Sequence, residues 1–378
     1  MNVAGFPHQV GGHFGLLKCV GHVLKPLNQR EFHFYVNMDP KLLPFTVKYC
    51  GRIRVNLSGC NDGQLLLSTD AEANCCALES AVKEVRNTLD SEEDNLEDTK
   101  PMTFRIKKSG KVEAEMAINT WAGQCQSKVV EKLLKGYDKW FIMLEDIVSD
   151  FRKPCVIDLK MGQRQYGDDS SAQKRLTQTQ KCRQSTSEEL GIRLVGLQLY
   201  DKTTKSYSFL NKYEGRRMDR VKFYNSLEKF FISAGSSRTK KLIRELQVLR
   251  SVLSEAESFR FFSSSLLIAF DGASDSESLL EIENSKESIV VKMIDFAHST
   301  FRGFLDDKVY SGMDDGYLLG IDSLISTLEQ ILISQPLQDA ISMPELSLKK
   351  QRSLKRPYST PPTDSPAQVI DVDEPIAA

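Results

Sequence analysis

The sequence predicts an α+β protein of two lobes, and three stretches carry that expectation. Residues 154–162 (PCVIDLKMG) alternate as a strand, with Cys155, Ile157, Leu159 and Met161 facing one way and Val156, Asp158 and Lys160 the other. Residues 292–298 repeat the arrangement far downstream, an apolar strand that delivers Asp295 at its end. Residues 140–144 form an intensely apolar strand that turns polar at Glu145-Asp146-Ile147. That change suits a hinge between lobes, where backbone groups are left to bind a ligand. The expected division is an N-terminal lobe over 1–147, a C-terminal lobe over 148–335 with helices near 163–190, and a disordered tail over 336–378.

A chain of 378 residues with 40% apolar and 27% charged residues can bury a substantial core and has the composition of an ordinary soluble protein. Its formal net charge of −1 gives no global basicity that would announce nucleic acid, so an anion site has to be a local basic patch. The eight cysteines show no C-x-x-C pair, no metal-finger spacing and no secretory leader upstream. They read as reduced thiols of a cytoplasmic or nuclear protein. No run approaches eighteen apolar residues, so no membrane span is expected.

In chain order, residues 6–25 open with turns and continue as two short strands meeting near Gly21; the second delivers Lys25 just before Pro26. Gly11-Gly12 permits backbone to approach a ligand closely, although such a pair more often marks only a tight turn. A lysine at a strand end reaches a phosphate, and Glu31, six residues on at the start of a helical stretch (Phe32, Phe34, Tyr35, Met38), is placed to orient it. Alternation suggests strand again over 44–57. Residues 84–100 are acidic with little to bury, the pattern of a mobile loop. Structure resumes with a strand at 103–106 and a helix around 125–134.

After the 154–162 strand, a helix is expected from about 171 to 190, ended by Gly191. It has no apolar stripe, and Lys174, Gln178 and Lys181 share one face at steps of four and three. With Arg164 between that face and Lys160, the segment reads as a pocket for a polyanion. Strands follow at 192–200 and 207–213, then a helix near 221–233 and another whose Leu242, Leu246, Leu249 and Leu253 form a core stripe. A strand at 261–268, an acidic loop over 271–287 and the Asp295 strand form a hairpin, with His298 three residues past Asp295. The helix over 316–332 is core and stops before Pro336. Disorder is expected beyond Ser334, with five basic residues within 349–356 as a nuclear-import patch.

An Asp and a Lys at alternate positions of one strand usually form no more than an ion pair. Together with a second strand-borne carboxylate, they are the parts that phosphoryl transfer needs: carboxylate oxygen for Mg²⁺ and a lysine to offset charge on the transferred group.

The sequence resembles the inositol polyphosphate kinase family. Pro154, Asp158, Lys160 and Gly162 meet its P-x-x-x-D-x-K-x-G pattern. The blocks HQVGGH (8–13), LED (144–146), LKMGQRQYGDD (159–169), SSSLL (263–267), MIDFAHSTFRGF (293–304) and DDGYLLGIDSLIS (314–326) are most like the hexakisphosphate branch. The resemblance implies a two-lobed, kinase-like ATP-binding fold with an inserted helical substrate element. It also implies roles: Lys25 on the ATP phosphates, Glu145 and Ile147 at adenine, Asp158 at ribose and Asp295 on Mg²⁺. Lys160 would stand between the transferred phosphoryl and the substrate, and Arg164, Lys174, Gln178, Lys181 and His298 would face the inositol phosphates. The implied reaction joins the γ-phosphoryl of ATP to inositol hexakisphosphate, giving an inositol pyrophosphate, in cytoplasm and nucleus. A multikinase acting on less phosphorylated inositols and a non-catalytic inositol-phosphate sensor or scaffold are the alternatives. No nucleic acid or membrane partner is implied, and the partners of the tail are unknown.

Overall fold

Two antiparallel sheets organise the chain, and the candidate site takes groups from both. The computed structural model describes residues 1–12, 14–59, 62–69, 101–273, 289–305 and 307–342, with backbone only at 335–342. The first sheet is built from β1 (Asn2–Gly5), β2 (Leu17–Cys19), β3 (His22–Pro26), β4 (Tyr49–Gly59), β5 (Gln64–Thr69), β6 (Thr103–Ile106), β7 (Val112–Glu115) and β8 (Trp140–Glu145). Its order is β1-β2-β3-β8-β4-β5-β6-β7, and β1 also pairs with β5, which curls the sheet back on itself. The helices of this part are α1 (Gln29–Val36) and α2 (Thr120–Leu134). Asn119 caps α2 by accepting from the amides of Trp121 and Ala122.

The second sheet has the order β11-β10-β9-β12-β13, formed by β9 (Pro154–Met161), β10 (Ile192–Asp201), β11 (Ser206–Leu210), β12 (Ser265–Asp271) and β13 (Val290–Ile294). Cys155, Ile157, Leu159 and Met161 are fully buried on one face of β9, the alternation that the sequence shows. That face packs against α6 (Arg220–Ala234), α7 (Ser236–Ser254) and α8 (Asp315–Ser342), through Phe223, Leu227, Phe230, Leu246, Leu249, Tyr317, Ile321 and Leu324. Each such side chain contributes about 1.5–3 kcal/mol by leaving water. The architecture is α+β, as expected. Residues Met1–Gln335 form one compact unit; of the second, Pro336–Ala378, only the helical backbone to Ser342 is described.

Local chemistry corrects several expected boundaries. Strand was expected from 44, but Asp39 accepts from the Lys41 amide and Pro40 opens a 3₁₀ turn over Pro40–Phe45, so β4 starts at Tyr49. The single helix expected over 171–190 is two, α3 (Ala172–Arg183) and α4 (Ser187–Leu190). Between them the Ser185 hydroxyl donates to the Cys182 carbonyl and the Thr186 hydroxyl to that of Ile192, side chains competing with the helix ladder. Gly191 caps α4 at φ +63°, as expected, and a Cβ there would lie 2.7 Å from the Gly320 amide nitrogen.

Lys212 and Tyr213, expected in a strand, belong to α5 (Lys212–Arg216), which Asn211 and Glu214 close with a capping box. Residues 261–264 form a turn rather than strand: Ser264 donates from backbone and side chain to the Phe261 carbonyl, and the Phe261 amide is held by Asp314. The hairpin of β12 and β13 is present. The last helix was expected to stop before Pro336 and runs to Ser342. Pro336 forgoes one backbone hydrogen bond, and the preceding turns, anchored by Leu324, Leu328 and Ile331 in the core, carry the helix past it. By length and composition alone, 315–334 could cross a membrane, but Leu324, Leu328 and Ile331 of that stretch are buried in the core. The acidic segment 84–100, most of the 271–287 loop and the basic run 349–356 lie outside the described residues.

Candidate active site

Strand register assembles the centre of the site. Across the second sheet, Arg193 of β10 stands opposite Lys160 of β9, Lys160 opposite Ser265 of β12, and Ser265 opposite Ile294 of β13. Asp295 is the next residue, at φ +68°, a left-handed conformation that Asp tolerates better than most residues and that turns the chain out of the strand. Burial lowers the Lys160 ammonium below the usual lysine range, although Asp295 and Asp158 oppose it; Arg193 and Lys25 add to the lowering. Asp158 is 3% exposed, and burial with the nearby Asp295 charge raises its carboxyl to about 6 despite Lys160.

The first sheet supplies Lys25 from the end of β3. Its Nζ lies 2.7 Å from Glu31 Oε1 and 2.5 Å from Asp295 Oδ1. Burial would depress this ammonium, but Asp295 and Glu31 together hold it above the usual range. Glu31 also accepts from the Phe296 amide at 3.1 Å, while its own amide is capped by Asn28. Arg30, its neighbour on α1, donates to Asp307 and to the carbonyl of Ala297. Two consecutive residues of one helix thus clamp the segment after Asp295, and Phe34 stacks on Phe296 at 4.8 Å between centroids.

Gly11 has a more specific reason than a tight turn. A Cβ there would lie 1.8 Å from Asp158 Oδ2, and one on Gly196 would lie 1.9 Å from the Val10 carbonyl oxygen. The buried Gln9 side chain shapes this loop: it donates to the carbonyls of Gly11 and Phe14 and accepts from the Leu16 amide. Residues 9–12 therefore lie directly on the polar face of the second sheet. At the expected hinge, the Glu145 amide donates to the Lys48 carbonyl, its exposed carboxylate accepts from the Lys48 amide, and the Asp146 amide donates to Gly21. Ile147 is half-buried, its side chain packed between core clusters.

The α3 helix is as polar as expected, and Ser171 caps it. Lys174 Nζ lies 3.2 Å from His298 Nε2, which ties α3 to the turn after Asp295. Gln178 is half-buried one turn on. Lys181 is lowered by burial and by Arg216 and Arg193. Arg164 is held elsewhere: its guanidinium donates to Asp168 and Tyr310 and lies 3.9 Å over the Phe262 ring.

The sequence reading missed three cations, Arg193, Lys212 and Arg216. Arg193 is 8% exposed, and its Nη1 has no hydrogen-bond partner among the described residues; the same holds for Arg216 Nε. Burial and Arg216 bring the Arg193 guanidinium down to about 10, against the opposing pull of Asp158. Burial, then Arg216, Lys128 and Lys181, lower Lys212 despite Cys125. The Arg216 charge thus acts on Arg193, Lys181 and Lys212 alike, and cations gathered in this way suit a multiply charged anion. One signal was available: Arg193 is the only charged residue in the run 192–200, IRLVGLQLY.

No group of three or more His, Cys, Asp or Glu able to cage a metal occurs among the described residues. Asp295, with Asp158 in electrostatic range, instead fits a hard cation such as Mg²⁺ that keeps its waters and arrives on phosphate oxygens.

The chain is similar to known proteins along most of its length. The family model for inositol polyphosphate kinase matches residues 141–329. The chain is 33% identical over 400 aligned positions to inositol hexakisphosphate kinase 1 of Rattus norvegicus, covering 86% of this chain and 92% of that protein. It is 31% identical to inositol hexakisphosphate kinase 2 of Homo sapiens and 32% to inositol hexakisphosphate kinase 3 of Mus musculus, each over 86% of this chain and 94% of the relative. Among solved structures, inositol phosphate multikinase Ipk2 of S. cerevisiae, in complex with ADP and Mn²⁺, shares the fold with a TM-score of 0.52 at 19% identity, covering 82% of this chain and 99% of that one.

Proposed function

The chain belongs to the inositol polyphosphate kinase family, and from that premise we propose that it transfers the γ-phosphoryl of ATP to inositol hexakisphosphate, forming diphosphoinositol pentakisphosphate. The observation that carries the choice of acceptor is the gathering of half-buried Arg216, Lys181 and Lys212 around buried Arg193, with Lys160 at its edge. A substrate dense in phosphate is what offsets so much positive charge gathered around one buried guanidinium.

In this reading Lys25 binds the ATP phosphates, Glu145 and Ile147 flank adenine, and Asp158 binds ribose beneath the 9–12 loop. Asp295 holds Mg²⁺, which supplies neutralisation of the phosphate oxygens when bound. Lys160 stands between donor and acceptor. The acceptor is itself a phosphate oxygen, already anionic near neutral pH, so little base catalysis is required. What opposes reaction is anion meeting anion, and fixed cations that hold two polyanions in line supply the acceleration. Lys174, Gln178 and Lys181 extend the contact along α3. Arg164, engaged with Asp168, contributes by fixing the loop before α3. The proposed location, cytoplasm and nucleus, rests on the reduced cysteines and the basic run over 349–356.

The test is a substrate panel. Purified protein with ATP and Mg²⁺ is given inositol hexakisphosphate or less phosphorylated inositols, and products are separated by charge. Turnover favouring the hexakisphosphate, with a more anionic product, supports the proposal. Preference for less phosphorylated rings makes the protein a multikinase, and tight binding without turnover makes it a sensor.

A further inference from the structure

His298 lies among charges from four elements: Lys174 of α3, Asp169 of the loop before it, Lys160 of β9 and Arg30 of α1. Its Nε2 is 3.2 Å from Lys174 Nζ. Its Nδ1 is buried, 3.7 Å from Asp169 Oδ1, too far for a hydrogen bond. A Cβ on Gly167 would come within 3.0 Å of that nitrogen, so the loop backbone packs on the ring. An ammonium has three donors and no acceptor, so the imidazole must offer Lys174 a lone pair at Nε2 and carry its proton on Nδ1, facing Asp169.

We propose that His298 is the positioning residue for Lys174: its imidazole accepts from the ammonium and fixes it for the acceptor phosphates, so the histidine serves substrate through the lysine. This rests on the functional reading above. A cationic His298 would repel Lys174, and burial with that lysine brings the imidazole down to about 4, leaving it neutral at physiological pH. A lysine on an exposed helix gives up side-chain freedom when it is held in one place. Anchoring it before substrate arrives removes part of that loss from binding. The same bond couples α3 to the turn that presents Asp295, so the helix reaching the acceptor is registered to the residues that handle the donor.

The experiment is a double-mutant cycle on the full chain, with inositol hexakisphosphate binding measured by calorimetry without nucleotide at pH 7.5. His298→Ala and Lys174→Ala should each weaken binding about 3- to 10-fold. The double variant should be no weaker than Lys174→Ala, because the histidine acts only through the lysine. His298→Gln, whose amide oxygen still accepts, should recover most of the loss and, in turnover assays, should restore KM more than kcat. Additive losses, unchanged binding by His298→Ala, or no recovery with Gln would overturn the proposal. A second readout needs no substrate: imidazole nitrogen shifts should hold His298 as the neutral Nδ1–H tautomer from pH 5.5 to 8, with Lys174→Ala raising its titration. A wild-type imidazole found as the Nε2–H tautomer at pH 7.5 would overturn the proposal by itself. If the wild type keeps this tautomer but binds no inositol phosphate, only the functional reading falls.

Discussion

Lys25 and Asp295, 270 residues apart, meet through a 2.5 Å contact between Nζ and Oδ1. The lysine assigned to the ATP phosphates thus holds the carboxylate assigned to the metal, and Glu31 behind it holds the lysine. Replacing Lys25 by Met should leave Glu31, 1% exposed, without its cation. The expected cost is about 2–4 kcal/mol in urea unfolding, with turnover falling about 100-fold or more. A variant as stable as the wild type would mean that this pair does not form in solution.

Asp295→Asn separates the metal role from the structural one. The amide is close in shape and still accepts from Lys25, so the melting temperature should change by only a few degrees. Turnover should drop about 1000-fold and should not be restored by excess Mg²⁺. Activity within tenfold of wild type would remove Asp295 from the chemistry.

Arg193→Met tests the anion pocket with an unusual sign. Removing a buried cation that has an unpartnered nitrogen should leave the substrate-free protein as stable as before or stabilise it by about 1 kcal/mol, since Met fills similar space. KM for inositol hexakisphosphate should rise about 10- to 100-fold. Unchanged KM together with lost stability would make Arg193 purely structural.

Asp158 gives the site a pH signature. Its carboxyl is raised to about 6 in the folded protein, against about 3.9 in an unfolded chain. Ionisation is therefore disfavoured on folding: the penalty is absent below about pH 4, grows between 4 and 6, and is complete above 6. Asp158→Asn should stabilise the nucleotide-free protein by about 2–3 kcal/mol at pH 7.5, a gain that shrinks toward zero as pH falls to 4.5. Chemical unfolding across that range checks it, and a pH-independent difference would contradict the burial account.

Gly11→Ala puts a methyl group into the space of the Asp158 carboxylate, where an ideal Cβ would lie 1.8 Å from Oδ2. Affinity for ATP should fall about tenfold or more while the acceptor's KM changes little. Equal loss for both substrates would show that the loop supports the whole fold rather than the nucleotide side.

What the sequence by itself determined was local and periodic. A strand repeats every two residues, so once Cys155, Ile157, Leu159 and Met161 needed a core, Asp158 and Lys160 had to share the other face. The polar α3, the Gly191 cap and Asp295 at a strand end were legible for the same reason, as was the family through the spacing from Pro154 to Gly162. Helix breaks at Ser185 and Thr186, and the turn at 261–264, were missed because side-chain bonds to backbone override propensity there.

Only the tertiary structure decided what those groups touch. Arg193 lies opposite Lys160 because β10 pairs with β9 through an irregularity between Leu194 and Gly196, a register that spacing along the chain does not encode. Lys25 reaches Asp295, and Gly11 reaches Asp158, because shared core clusters join the two parts, Phe34, Ile142 and Leu144 with Ile157 and Met293, and Phe6 and Val10 with Val156. Periodicity reports the neighbours within a segment, whereas contact between segments is chosen by how their apolar faces close together, and the charges are carried to wherever that closure puts them.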